Sequence, residues 1–329
     1  MERIFTPPNI VLSRCIEFDP CRYNGDIIRS PIVHKLKAYV HFIPVCPEIE
    51  IGLGIPRETL RIVRIEGEDH LMQPGTGKDV SKEMTSFVNK FLDSLYDIEG
   101  FILKTKSPTS GLKGVKVYPA IGKSAPIDLS AGFFAREIIR RYPFFPVEDE
   151  GRLRNVRILD HFLTSVFCLA EFREVKNSGE IKRLVKFHTR NKYLLMAHNQ
   201  TLLPKMGKVA ANPENLTFVE ITDSYQDMLY KALSRAPGFS SNINILLHAL
   251  GRISSDLSPA EKGFFLDYLQ KYREGHISIC APKNMIRMWI IRFEDSYLAE
   301  QTYFAPYPEN LIEPDPYETD RGKDFWDKS

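Results

Sequence analysis

The sequence predicts an α/β N-terminal domain with a mostly parallel sheet, followed by an all-α C-terminal domain. Three observations carry that prediction. Short β-branched runs alternate with amphipathic helical stretches as far as about residue 141, the pattern of strand-helix-strand crossovers. A proline- and acid-rich stretch, residues 143–151, then breaks the alternation. Beyond it, apolar residues recur only at helical spacing.

Each element follows from local chemistry. Asn9 to Ser13 is short, apolar and β-branched, which suits a buried strand, and Cys15 follows at once. Cys21 opens a Cys-Arg-Tyr-Asn-Gly run whose Asn24-Gly25 pair marks a tight turn. Ser30 caps a helix to Lys37 that starts with Pro31, a residue pre-set for the first helical position. Val40 to Val45 is the second strand. Pro47 ends it, because proline donates nothing to a ladder and biases Cys46 away from helix, so Cys46 and Glu48 share the exit. Pro56 to Lys78 reads as loop, with Gly67, Pro74, Gly75 and Gly77. Met84, Phe87, Val88, Phe91, Leu92 and Leu95 make one face of a helix capped by Asp79 or Ser81. Phe101-Ile102-Leu103 is the third strand, with Ser107-Pro108-Thr109-Ser110-Gly111 directly beyond it. Val115 to Tyr118 adds a short strand, and Phe133 to Arg141 a helix that Pro143 stops.

In doubly wound sheets ligands collect beyond the carboxyl ends of the strands. Here all three exits carry soft or polar groups: Cys15 with Cys21, Cys46 with Glu48, and Ser107 with Ser110. After the break, helical stripes run from Val156 to Leu169, Ile181 to His198, Tyr225 to Leu233, and Ile243 to Leu250. Ser258-Pro259-Ala260-Glu261 is a capping box that starts a helix to Tyr272, and a last helix covers Met285 to Glu300. The expected domains are 1–145 and 146–308, then a solvated acidic tail, 309–329, with seven acids against three bases.

Composition narrows the classes of function. The 43% hydrophobic content supports globular cores, and the net charge of +2 hides an asymmetry, with basic residues crowding the middle of the chain and acids its end. No apolar run approaches the roughly 20 residues of a membrane helix, and no basic-then-apolar leader is present, so a cytoplasmic protein is expected. Five cysteines are too few for a secreted disulfide scaffold, and three of them, Cys15, Cys21 and Cys46, fall in the first fifty residues. Clustered cysteines in a reducing compartment bind metal or do chemistry. The spacing has no CxxC pair for zinc, and Gly52 to Gly54 is too irregular for a phosphate fingerprint.

These stretches resemble the thiouracil desulfidase family. The matching residues are Ser13-Arg14-Cys15, Cys21-Arg22-Tyr23-Asn24-Gly25, Val45-Cys46-Pro47-Glu48, Gly52-Leu53 with Pro56-Arg57, and Lys106-Ser107-Pro108 with Gly111. The C-terminal half is similar to a second, uncharacterised helical family, through Leu195 to Asn199, Asn244 to His248, Tyr272-Arg273-Glu274-Gly275 and Tyr297 to Gln301. The fusion resembles desulfidases that remove sulfur from 4-thiouridine in tRNA. That resemblance implies a 4Fe-4S cluster held by three cysteines, with one iron left open to the thione sulfur of a thiolated nucleobase. Glu48 and Ser107 become the catalytic candidates, Glu48 as base or orienter of an attacking water. The cofactor-binding set is Cys15, Cys46, Cys21 and Ser110, of which Cys15, Cys46 and Cys21 are the metal-ligand candidates. Ser110 stands where the family has cysteine. Three explanations follow: Cys21 supplies the third thiolate, the cluster is lost, or the role is a noncatalytic RNA-binding one. Free 2-thiouracil is the alternative substrate.

Lys182, Arg183, Lys186, Arg190 and Lys192, interleaved with Phe187, His188 and Tyr193, are the candidate RNA-binding residues. Arg136, Arg140, Arg141, Arg152, Arg154 and Arg157 near the linker are expected to extend them into one basic surface for RNA phosphates.

Overall fold

The computed structural model describes residues 3–312; the stretch 313–329, most of the expected acidic tail, lies outside the described residues. The α/β half runs β1 (Asn9–Ser13), α1 (Pro31–Leu36), β2 (His41–Val45), α2 (Pro47–Glu50), β3 (Arg61–Ile65), β4 (Glu68–Gln73) and β5 (Lys78–Asp79). It continues through α3 (Ser81–Asp93), β6 (Gly100–Leu103), β7 (Val115–Tyr118), β8 (Asp128–Ser130), α4 (Phe133–Arg141) and β9 (Val147–Asp149). The helical half is α5 (Val156–Ser178), α6 (Ile181–Arg190), α7 (Lys192–His198), α8 (Leu202–Ala211), α9 (Phe218–Leu233), α10 (Phe239–Ile253), α11 (Pro259–Arg273), α12 (Cys280–Phe293) and α13 (Ser296–Glu300).

Strands β2, β1, β6 and β9 pair in that order, all parallel. Side chains alternate between faces along a strand, so Ile10 and Leu12 of β1 enter one core while Val11 enters another. Both faces are therefore covered, as a parallel sheet requires. On one face lie Val33 and Leu36 of α1 with Leu159, Phe162, Leu163 and Val166 of α5. On the other lie α3, α4 and a second, mixed sheet of order β5, β4, β3, β7, β8.

Three strands of that second sheet, β3, β4 and β5, fall in the region expected to be loop, while β7 is the short strand expected at Val115 to Tyr118. The β3-β4 hairpin turns on Glu66 and Gly67, both at positive φ (51° and 86°), the conformation that a two-residue primed turn demands. A Glu-Gly pair is a weaker turn signal than Asn-Gly. The strand pattern is also blurred, because the adjacent residues Ile62 and Val63 are both buried and Ile65 is exposed.

The boundary moves as well. Residues 143–151 contain β9, the fourth strand of the parallel sheet, so a division at 145/146 cuts the sheet. Helix α5 then serves both halves. Its Val166 and Phe162 approach β6 so closely that a Cβ at Gly100 would lie 2.9 Å from Val166 Cγ1. Fully burying Phe162 and Leu163 there contributes about 1.5–3 kcal/mol each. The segment after α13 returns to the same core: Tyr307 and Leu311 are buried in it, and the Tyr307 hydroxyl donates to Asp160 of α5.

Two long helical stripes are broken in the structure. Ile181 to His198 divides at Asn191, fully buried, whose side chain donates to the Phe187 carbonyl and accepts from Thr302 Oγ1 at 2.7 Å. Met285 to Glu300 divides at Glu294, which adopts positive φ (52°). Helix α8, with Pro204 in its first turn, is an element the sequence reading lacked. No described helix is long and apolar enough to cross a membrane.

Candidate functional site

Strand β1 lies between β2 and β6, so the chain leaves it toward one side and returns on the other. That makes the β1/β6 boundary the switch point, where an open crevice forms beyond the carboxyl ends. A cleft of about 280 Å³ is found there, lined by Cys15, Cys21, Cys46, Glu48, Ser107 and Ser110 among others. The three strand exits thus meet at one place. Parallel pairing forces this, since all their carboxyl ends share an edge.

Cys46 is the N-cap of α2, with extended backbone (φ −124°, ψ 97°), and Pro47 takes the first helical position. This short turn brings Glu48 back beside the thiol. Cys46 Sγ lies 3.3 Å from Glu48 Oε2 and 3.8 Å from the Cys21 carbonyl oxygen, two acceptors for its one proton. Arg57 closes the arrangement: its guanidinium donates to the Cys21 carbonyl at 3.0 Å and pairs with Glu48 Oε2 at 3.7 Å. The Arg57 and Glu48 side chains are only 6% and 14% exposed, so water screens this pair little.

The other carboxylate oxygen joins a hydroxyl chain. Thr109 Oγ1 donates to Glu48 Oε1 at 2.5 Å. That uses the only Thr109 hydroxyl proton, so Ser107 Oγ donates to Thr109 Oγ1 across their 2.8 Å contact. Ser107 Oγ in turn accepts the backbone N–H groups of Thr109 and Ser110 at 3.2 and 3.1 Å. The tight return of this loop requires Gly111, where a Cβ would sit 2.7 Å from the Ser107 carbonyl oxygen. Thr109 was not among the sequence candidates. Its only signal is a hydroxyl residue within a turn at a strand exit.

The three thiols line one cleft. Hydrogen bonding to Cys15 and then burial push the Cys21 thiol up to about 12, against a smaller opposing effect of Cys46. Cys46 is pushed up further, by its hydrogen bond with Cys21 first, then by burial and the Glu48 charge. A nearby cationic centre reverses this logic, because metal coordination deprotonates thiols outright. Among the described residues no group of three Cys, His, Asp or Glu side chains converges as a single-ion site. Three thiols on separate loop positions suit a cluster, whose thiolates bind different irons. The donor set therefore fits an iron-sulfur group.

Basic residues are arranged differently. Lys182, Arg183 and Lys186 are exposed on α6 and Lys192 on α7, whereas Arg190 turns inward to pair with Glu171 of α5 at 3.0 Å. Arg136 is held by Asp69, Arg140 by Glu137, Arg141 by Glu137 and Asp93, and Arg152 by Glu148. Arg140 first, and then Arg141, hold the Glu137 carboxyl down at about 2. These four arginines are locally neutralised and do not extend α6 into one basic surface.

Fold and cleft together define the class: a doubly wound α/β domain with a thiol-lined cleft at its switch point. The sequence profile of the 2-thiouracil desulfurase family matches residues 10–150, and that of a protein family of unknown function, DUF1722, matches residues 192–308. The uncharacterized protein YbbK of Bacillus subtilis (strain 168) is 32% identical over 109 residues, which cover 31% of this chain and 72% of YbbK. The uncharacterized protein YbgA of Escherichia coli (strain K12) is 26% identical over 156 residues, 46% of this chain and 91% of YbgA. A solved structure, the 4Fe-4S-dependent thiouracil desulfidase TudS, is 25% identical with a TM-score of 0.35, covering 45% of this chain and 93% of TudS. The chain belongs to the 2-thiouracil desulfurase family.

Proposed function

We propose that this protein is a desulfidase that replaces the sulfur of a thiolated uracil by oxygen, with 4-thiouridine in tRNA as substrate. The carrying observation is the meeting of three thiols with the Glu48-Thr109-Ser107 chain in one cleft. Cys15 and Cys46 would hold a 4Fe-4S cluster together with a third donor. When bound, such a group supplies a Lewis-acidic iron suited to a soft thione sulfur.

This chain's own residues do the rest. Glu48, oriented by Thr109 and Arg57, takes a proton from water that attacks the ring carbon. A C–O bond forms as the C–S bond breaks; the proton held by Glu48 passes to the departing sulfur, which leaves as hydrosulfide, and the second water proton is lost from the new oxygen to solvent, giving the oxo base. Arg57 keeps the carboxylate aimed. A reducing cytoplasm would keep the cleft thiols free of disulfides.

The choice of tRNA over free 2-thiouracil rests on the exposed Lys182, Lys186 and Lys192, which have no ion-pair partner among the described residues. Chemistry then belongs to the α/β half and RNA grip to the helical half. The test is anaerobic reconstitution with iron and sulfide, followed by turnover of thiolated tRNA and of the free base. The proposal expects loss of sulfur from the RNA at a higher kcat/KM; sulfur retained in both substrates would refute the activity, and preference for the free base would refute the RNA reading.

A further inference from the structure

We infer that Cys21, and not Ser110, is the third thiolate of this site, so that the exit of β1 supplies two ligands and the exit of β6 none. The inference rests on the cluster-binding reading above and decides what that reading leaves open. A serine hydroxyl is a hard, high-pKa donor, poorly matched to iron already bound by sulfide and thiolate. Cys21 is the remaining thiol in the cleft.

Its position is held from several directions. Cys21 is 3% exposed and lines the same cleft as Cys15 and Cys46. Its carbonyl oxygen accepts from Arg57 at 3.0 Å and lies 3.8 Å from Cys46 Sγ. Two residues on, the Tyr23 carbonyl accepts the Arg57 backbone N–H at 2.9 Å. The loop carrying Cys21 is thereby tied to the segment after β2 through one arginine, at a fixed distance from Cys46. Such a tie costs entropy to form, and a core-filling cysteine does not need it. Ser110 is tied differently. Its backbone N–H caps Ser107 Oγ at 3.1 Å, and its hydroxyl has no hydrogen bond to another described residue.

The test compares iron and acid-labile sulfide per chain, with visible absorption, after anaerobic reconstitution of the full chain and of Cys21→Ala, Cys21→Ser, Ser110→Ala and Cys168→Ala. Cys168, buried in the helical core, is the control for loss of any thiol. About four irons are expected in the unmodified chain, Ser110→Ala and Cys168→Ala, and less than about a tenth of that in Cys21→Ala. Cys21→Ser, nearly the same volume, should lose the cluster while its circular dichroism and melting temperature stay native, which separates ligand loss from misfolding. Full iron in either natively folded Cys21 variant overturns the inference and leaves the desulfidase reading standing. Equal loss in Ser110→Ala overturns it too. No iron in the unmodified chain overturns both.

Discussion

Two regions stand out by residue type, the strand exits at the cleft and the basic stretch along α6, and they come to different ends. The exits of β1, β2 and β6 are distant in sequence, yet they meet because parallel strands put every carboxyl end on one edge. The cations of α6 are neighbours in sequence, yet they do not all share one end: Lys182, Arg183 and Lys186 stay exposed, while Arg190 pairs with Glu171 of α5. Convergence in space comes from topology, and adjacency in sequence is no substitute for it.

The sharpest way to break this contrast is Glu48→Gln, which keeps the shape but removes the base; kcat should fall by about 10²–10⁴-fold with iron content unchanged. Undiminished kcat would remove Glu48 from the chemistry. Acid should act on the helical half, at α5 and α7. His161 and His198 stack with ring centroids 5.6 Å apart, and each has a buried ring nitrogen without a hydrogen-bond partner among the described residues. Burial lowers both, His198 to about 4, with Asp160 and Arg157 the charged groups facing His161. The unfolded chain binds those protons near pH 6.5 while the folded chain binds the His198 proton only near 4, so stability is present above 6.5 and is lost as pH falls toward 4. At pH 5 the His198 contribution is a loss of about 2 kcal/mol, read from melts at pH 7 and 5. His198→Gln should flatten that slope.

Smaller effects sharpen the comparison further. Thr109→Val preserves volume but cuts the link between Ser107 and Glu48, and a roughly tenfold fall in kcat is expected, from a lost hydrogen bond to a charged group. An unchanged kcat would make Thr109 purely structural. The smallest change is expected from Lys182→Ala, Lys186→Ala and Lys192→Ala combined. RNA affinity should weaken several-fold, with a salt dependence shallower by up to about three phosphate contacts, and free-base turnover should not move. Equal loss on both substrates would detach α6 from RNA.

Much of the fold was legible because local rules agreed with the global outcome. Ser30 caps α1 through its hydroxyl, and the Ser258-Glu261 capping box at α11 forms as expected. The β3-β4 hairpin of the mixed sheet was hidden because its Glu66-Gly67 turn lacks the usual turn residues. The break at Asn191 was hidden because the groups that hold it, Thr302 above all, lie 111 residues away. At the site, residue types named the cysteines, Glu48 and Ser107, while Thr109 and the grip of Arg57 on Cys21 depend on contacts that spacing does not encode.

By itself, the order of residues determined which segments become strands and helices in most of the chain, and which chemistries are present, since backbone preference and periodic burial are properties of short stretches. Only the tertiary structure decided that Cys21 stands with Cys15 and Cys46, that four of the linker arginines are neutralised, and that α5 belongs to both halves. Those outcomes depend on groups far apart along the chain being packed within a few ångströms, where hydrogen bonds and charge pairing act.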